Sequence, residues 1–398
     1  MIARPGGATL AVCFAWPSVT ATSSTRSTAR SALEQCQATL AADRPKAGLL
    51  FSTYLTNPDA MVATIRATYP DLELIGGTTA GEMSSVVGYL EDSVTLALFA
   101  SDEVDIAAGL GLGVSADPQA AAHVAVEEAR GKTHLEPRLC IVVPSSGGYD
   151  PAILLKHLSH ELGPDVTMLG GASTPPTMHD DPGVAFQFRG DRALHDSAPI
   201  LLFSGPLVFS FGAEAGWRPV GRKGTVTRVS DGTVDEIDGQ PAIAFFERYL
   251  GAGGEPTAAN PLAVFEGDSG DFYLRAPAGF DAATGSIYLA GAIAVNSVVQ
   301  LTVAVTDDVF GGAQSAVSKA IKGYPAGLKP DAALIFSCAI RKYVLGTRTG
   351  TEIEIARREL GQALPVCGFY SYGEIAPDDS GTSRFHNETI VAVVLGTE

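Results

Sequence analysis

The feature that most restricts this chain is a phrase that occurs three times. An apolar run of strand length leads to a polar stretch, a helix-spaced apolar pattern, a second apolar run with a glycine-rich turn, and a last β-rich run. The first occurrence runs from Gly48-Leu-Leu-Phe-Ser52 through Asn57-Pro58 and Met61, Ile65 and Tyr69 to Leu72-Glu-Leu-Ile-Gly-Gly-Thr-Thr-Ala-Gly-Glu82. The second runs from Leu139-Cys-Ile-Val-Val143 through Asp150-Pro151 and Leu154, Leu158 and Leu162 to Val166-Thr-Met-Leu-Gly-Gly-Ala-Ser173. The third runs from Ala333-Leu-Ile-Phe-Ser337 through a helical pattern at 351–364 to Val366-Cys-Gly-Phe-Tyr-Ser-Tyr-Gly-Glu374. The runs 93–99, 198–204 and 389–395 close the three occurrences.

These phrases predict secondary structure for stated reasons. Asn57 and Asp150 can accept the first free amide protons of a helix, and the prolines after them need no N–H bond there. Thr351 and Glu354 have capping-box spacing. Two strands joined by a helix favour parallel pairing, and the next strand returns antiparallel. The expectation is an α/β fold of mixed sheets flanked by helices. It is built from repeated strand-helix-strand-strand units in two halves, 1–221 and 222–398, with 48–52, 139–143 and 333–337 as buried strands. Between the second and third occurrences, the sequence predicts short strands around Val226, Val229, Val234 and Ile237. A helix is expected at 242–250, ended by Gly251, then a linker at 251–261 and further strands to 305. The alternation Gly109-Leu-Gly-Leu-Gly113 reads as a strand and not as a phosphate loop, because it opens no helix. Glu127 and Glu128 read as solvated helix charges.

Composition removes several function classes. The 398 residues carry 27 Lys+Arg against 44 Asp+Glu, a net charge of −17, which disfavours nucleic acid and anionic membranes as partners. The five cysteines are scattered and form no C-x-x-C, which points to a reducing compartment and a cytoplasmic protein. Residues 197–213 are uncharged, but Ser204-Gly205-Pro206 splits them into two strands, short of the ~20 apolar residues a membrane span needs. Arg4 and the run 8–16 faintly imitate a secretory signal, but the run is short and ends at Pro17.

Eight phrases in order resemble the FIST family (F-box and intracellular signal transduction). They are 76–82, 170–172, Gly216-Trp-Arg-Pro-Val-Gly221, 236–242, 248–251, Phe336-Ser-Cys-Ala-Ile-Arg341, 368–374 and Phe385-His-Asn-Glu-Thr389. The resemblance implies FIST N-terminal and C-terminal domains and an intracellular sensor of small ligands such as amino acids. Members are often fused to kinase, cyclase or chemotaxis modules, and some bacterial members bind haem and sense nitric oxide. The three occurrences fill this chain, so a separate signalling protein, such as a kinase or cyclase, is expected to carry the output. Where family members often carry an aspartate after the second Gly-Gly pair, this chain has Ala172-Ser173.

The candidate ligand site follows from chemistry at strand ends. Cys338 and Arg341 follow a buried strand, and Arg341 can grip a carboxylate with its fork. Tyr370, Tyr372 and Glu374 lie in the glycine-rich turn of the same occurrence. Glu374 can hold an ammonium and the tyrosines can stack. Thr53, Tyr54, Thr78, Thr79 and Glu82 in the first occurrence, and Ser145, Ser146 and Tyr149 in the second, add hydrogen-bonding groups. The plainer alternative is that Arg341 pairs with Glu374 directly. No catalytic set and no metal site is expected. Two alternatives stay open. Cys338 with His386 and Asn387 would serve a cysteine-dependent enzyme. A haem could take His179 or His195 as an axial ligand, while His157 and His160 share a helix face.

Overall fold

The computed structural model describes residues 11–15, 25–40, 44–53, 57–175, 184–266, 270–378 and 380–398. From the N-terminal side the elements are β1 Ala11–Ala15, α1 Thr25–Leu40, β2 Ala47–Ser52, α2 Pro58–Thr68, β3 Glu73–Thr78, β4 Glu82–Ser84, β5 Gly88–Leu90 and β6 Val94–Ala100. There follow β7 Asp105–Leu112, α3 Pro118–Arg130, β8 Pro137–Val142, α4 Pro151–Leu162, β9 Thr167–Gly171, β10 Gln187–Arg189, β11 Arg192–Leu194, β12 Ser197–Ser204 and β13 Leu207–Glu214. A stretch of mostly strands comes next: β14 Arg218–Ser230, β15 Thr233–Ile237, β16 Gln240–Pro241, α5 Ala242–Leu250, β17 Leu262–Phe265, β18 Phe272–Arg275, β19 Pro277–Phe280, β20 Ile287–Leu289 and β21 Val298–Val303. The chain ends with α6 Thr306–Gly323, β22 Ala332–Cys338, α7 Ala339–Leu345, α8 Thr351–Leu360, β23 Val366–Ser371, β24 Glu374–Pro377, β25 Ser383–His386 and β26 Ile390–Thr397.

The expected mixed sheets flanked by helices are present, and three of the four sheets share one strand plan. Their orders are β1-β6-β2-β3-β10-β11, β7-β12-β8-β9-β24-β25 and β13-β26-β22-β23-β4-β5. In each, two central strands pair in parallel: β2 with β3, β8 with β9, and β22 with β23. The strand on the other side of β2, β8 or β22 is antiparallel. The last two places in each sheet belong to a hairpin that crosses over from another unit of the chain. The hairpin after β3 pairs with β23, the hairpin after β9 pairs with β3, and the hairpin after β23 pairs with β9. The exchange is cyclic, so no sheet can leave without breaking strand pairs in its neighbours.

Alternate side chains of these strands face two different cores, which is why the strands read as unbroken apolar runs. Leu49, Phe51, Phe99, Ile141, Phe203, Phe336, Phe369 and Val393 meet in one core shared by the three sheets. The opposite faces are covered by helices: Leu50, Leu74 and Leu96 by α1 and α2, Cys140, Val142 and Met168 by α3 and α4, and Ile335, Val366 and Val394 by α6 and α8. Gly109 and Gly111 lie in β7, and a Cβ at Gly109 would sit 1.8 Å from the Ala125 carbonyl oxygen, so these glycines let α3 lie against the strand.

The helix starts divide. Asn57 accepts from the Ala60 N–H at 2.9 Å and Asp150 from the Ala152 N–H at 3.0 Å, as their sequence predicts. The capping box at Thr351 and Glu354 does not form: Gly350 precedes the helix and no side chain caps it. Glu128 is also not a simple solvated charge, since it accepts from the Leu110 N–H and pairs with Lys132 and Arg189.

The stretch between β13 and α6 forms the fourth sheet, β18-β17-β21-β14-β15-β20-β19, with β16 on β15. It encloses its own core of Val226, Phe245, Phe246, Val264 and Leu301. Helix α5 ends at Gly251, whose φ of +92° is glycine territory. No helix among the described residues is long and apolar enough to cross a membrane.

Candidate functional site

At the carboxyl ends of the parallel strands, the three sheets place corresponding residues. Glu82, Gln187 and Glu374 each open a crossing hairpin, opposite Phe369, Gly77 and Gly171 respectively. Thr53 stands one residue past β2, Ser145 three past β8 and Cys338 last in β22, and their N–H groups donate to the carbonyls of Ser93, Ser197 and Thr389 at 3.2, 2.8 and 3.0 Å. Thr79, Ser173 and Ser371 complete the sets. All twelve side chains are at most 7 % exposed.

The three clusters differ in charge. Glu82 accepts hydrogen bonds from Thr53 (2.9 and 2.7 Å), Thr79 and Ser93. Burial pushes its carboxyl up to about 8, against the pull of the Thr79 and Thr53 hydroxyls. Gln187 does the same work without a charge, donating to Ser173 at 2.7 Å and accepting from the Ser197 hydroxyl at 3.0 Å. Glu374 accepts from Ser371 at 2.8 Å and from the Thr389 N–H at 3.2 Å, and burial pushes it, too, up to about 8.

Before each closing strand stands an acidic residue with positive φ: Asp92 (+53°), Asp196 (+45°) and Glu388 (+54°). Asp92 is exposed and Asp196 holds Ser115 at 2.8 Å, but Glu388 is fully buried and neither carboxylate oxygen has a hydrogen-bond partner. The difference comes from the fourth sheet. It lays Arg275 of β18 over this end of the molecule, where the guanidinium donates to the Phe385 carbonyl at 3.0 Å, and Ala276 N–H donates to Asn387 at 3.0 Å. Burial, then the charges of Glu374 and Glu388, hold the Cys338 thiol well above its usual range, so it is no thiolate in this arrangement.

Arg341 and Glu374 do not face each other across an open site. Arg341 is fully buried and makes a two-pronged pair with Glu352 of α8, through Nε at 3.0 Å and Nη2 at 2.7 Å. Its other N–H groups donate to the carbonyls of Val309, Glu388 and Ala215. All five guanidinium donors are thereby engaged by the protein itself. Tyr370 joins the same group, donating to Glu352 at 2.7 Å. Thr78 donates to the Thr174 carbonyl at 2.6 Å, Ser145 is buried, and Tyr372 is half-buried. Tyr54 and His179 lie outside the described residues. His195 contacts the Ala185 carbonyl at 2.9 Å, and His157 and His160 lie on α4 toward solvent. Among the described residues, no group of three or more His, Cys, Asp or Glu side chains is placed to hold a metal ion.

The open space lies beside the third cluster. A cleft of about 430 Å³ runs between the end of β13, the fourth sheet and the β24–β25 hairpin, with Thr389 and His386 in its lining. Trp217, Phe272 and Tyr273 give it aromatic wall. Arg384 pairs with Glu266 at 2.9 Å and Asp378 at 2.8 Å and stacks 4.4 Å from the Tyr273 ring centroid, while Lys319 pairs with Glu214 at 2.5 Å. Burial lowers His386 to about 4, so it is neutral at neutral pH. None of Cys338, Arg341, Tyr370, Tyr372, Glu374, Thr78, Thr79, Glu82 and Ser145 lines the cleft. Its borders lie in the family-like phrases Gly216-Trp217 and Phe385–Thr389, but no residue in those phrases signals that a separate sheet folds over them.

Residues 46–240 match the FIST N domain and residues 242–377 match the FIST C domain. Two uncharacterized proteins of Mycobacterium tuberculosis, from strains CDC 1551 and H37Rv, are each 24% identical over 262 residues, covering 63% of this chain and 66% of their own length. The chain thus spans just under two thirds of the curated relatives it matches. Among solved structures, a cyanuric acid hydrolase from A. caulinodans overlays with a TM-score of 0.38 at 8% identity, covering 98% of this chain and 100% of that one. A chorismatase overlays with a TM-score of 0.37 at 9% identity, covering 98% and 99%. Overlays this loose carry no weight for activity.

Proposed function

This chain belongs to the FIST family, and from that premise we propose that it is a sensor that binds a small polar molecule in the cleft beside Thr389. An amino acid or another small carboxylate suits the walls, and a separate protein carries the output. The observation that carries this reading is the cleft itself: it combines both signs of charge with aromatic surface in about 430 Å³, within the range of small-ligand sites. Arg384 offers a planar fork for a carboxylate, held in place by stacking on Tyr273. Glu266, Asp378 and Glu214 offer acceptors for an ammonium. The ion pairs already present mean that a ligand must exchange partners with them, so affinity is set by a difference of contacts.

A thermal-shift panel of amino acids and small carboxylates tests it. A ligand at a hundred times its Kd stabilises the fold by about 2.7 kcal/mol. The expected result is a rise in Tm for one chemical class that is lost in Arg384→Ala. A flat response across the panel, or a rise unchanged in Arg384→Ala, would remove the cleft as the site.

A further inference from the structure

We propose that the ligand of the cleft is a basic α-amino acid, whose carboxylate takes Arg384 and whose side-chain cation takes Glu214 in place of Lys319. The inference rests on the cleft being the ligand seat, and it names the class of ligand that the seat selects. Among the described residues, the lining carries four carboxylates, Glu214, Glu266, Asp271 and Asp378, against two permanent cations, Lys319 and Arg384. His386 is neutral at neutral pH and adds nothing to the count. The surplus is two negative charges. A small carboxylate enlarges it, a neutral zwitterion leaves it, and a ligand with one further cation reduces it.

Two ion pairs of the cleft indicate where each end of such a ligand goes. In the pair of Arg384 with Glu266, the Arg384 side chain is 20% exposed and that of Glu266 55%. In the pair of Lys319 with Glu214, the Glu214 side chain is 28% exposed and that of Lys319 55%. The deeper member is a cation in one pair and an anion in the other, and each is covered by a more exposed partner. Exposed ion pairs contribute little, so both partners exchange at small cost. A ligand carboxylate replaces Glu266 on the Arg384 fork, and a ligand ammonium or guanidinium replaces the Lys319 ammonium on Glu214. Glu266, once released, and Asp378 remain as acceptors for the α-ammonium. The two pairs come from different walls: Glu214 ends β13 and Lys319 belongs to α6, whereas Arg384 belongs to the β24–β25 hairpin and Glu266 follows β17. A ligand that uses both must carry its charges at two ends of a chain. Phe272, half-buried and 5.6 Å from Phe265, gives the methylenes of that chain an apolar surface. Among the described residues no cation lies over its ring, whereas Tyr273 already has Arg275 and Arg384 each at 4.4 Å.

The test is isothermal titration calorimetry of the whole chain with lysine, ornithine and arginine, which differ in reach, against norleucine and citrulline, which lack the side-chain charge. At least one basic amino acid should bind about tenfold or more tighter than its uncharged analogue, the order of one charge-assisted hydrogen bond. Glu214→Gln should remove that difference and leave binding of the uncharged analogue as it was. Lys319→Met should strengthen binding of the basic amino acid, because it removes the competing ammonium. An uncharged analogue that binds as tightly as the basic amino acid, a Glu214→Gln protein that keeps the difference, or a Lys319→Met protein that binds the basic amino acid more weakly would overturn the proposal. So would cadaverine, which is lysine without its carboxylate, if it bound as tightly as lysine. The two failures are distinguishable. A neutral amino acid or small carboxylate whose binding is lost in Arg384→Ala would keep the cleft as the seat and reject only the basic side chain. No binding by any of these compounds, or binding unchanged in Arg384→Ala, would reject the seat itself.

Discussion

Replacing Glu82 by glutamine should change how stability depends on pH, and the size of the change can be worked out. The Glu82 carboxyl stands at about 8 in the folded protein against an ordinary 4.5, chiefly because it is buried. A raised folded value means the proton binds the folded state more tightly. The corresponding stability is complete below about pH 4.5 and is lost as pH rises to about 8. At about 1.36 kcal/mol per pH unit, the loss across that window is on the order of 5 kcal/mol, comparable with the net stability of a whole domain. Glutamine keeps the shape and removes the titration, and Gln187 already fills the corresponding position in another sheet with a complete set of hydrogen bonds. Urea denaturation at steps between pH 5 and 9 is the assay. Glu82→Gln should lie within about 1 kcal/mol of the parent at pH 5 and exceed it by several kcal/mol at pH 8.5. Part of the remaining slope comes from Glu374 and Glu388, raised by burial, and part from His386, lowered by burial, and His123, raised by Glu161. Parallel curves for parent and variant would refute the reasoning, because Glu82 would then have the same proton affinity folded and unfolded.

Three other outcomes follow from the geometry. Arg341→Ala should destabilise by about 3–5 kcal/mol in urea denaturation by leaving Glu352 buried and unpaired, and adding Glu352→Leu should restore much of that loss. Gly109→Ala should cost at least about 2 kcal/mol by the same assay, since its Cβ would collide with the Ala125 carbonyl and push α3 off β7. Cys338, 5% exposed and held as a thiol, should resist iodoacetamide at pH 8 in the folded protein and react only after denaturation, as read by peptide mass spectrometry.

The mixed sheets and their flanking helices were legible because their signals are local. Asn57-Pro58 and Asp150-Pro151 cap helices by contacts within three residues, and the buried strands declare themselves as apolar runs. The hairpin exchange was not legible, because strands as short as Glu82–Ser84 carry no record of which distant strand they pair with. Arg341 follows β22 on the first turn of α7, and its partner was not legible. Glu352 sits one place into a helix whose start reads as a capping box at Thr351 and Glu354, and only the packing of α8 on the third sheet turns Glu352 inward. The cleft escaped for a similar reason. Its walls come from Trp217, Tyr273 and Arg384, which meet only when the fourth sheet folds over the β24–β25 hairpin.

Hydrogen–deuterium exchange of the whole chain, with and without an equimolar mixture of the twenty amino acids and small carboxylates, tests the central claim most directly, because it locates binding without assuming which of them binds. The account predicts slower exchange confined to 213–217, 270–274, 377–389 and the stretches around Glu266 and Lys319, which line the cleft. Protection centred instead on 78–82 or around Ser145 and Gln187, or no protection anywhere, would contradict it.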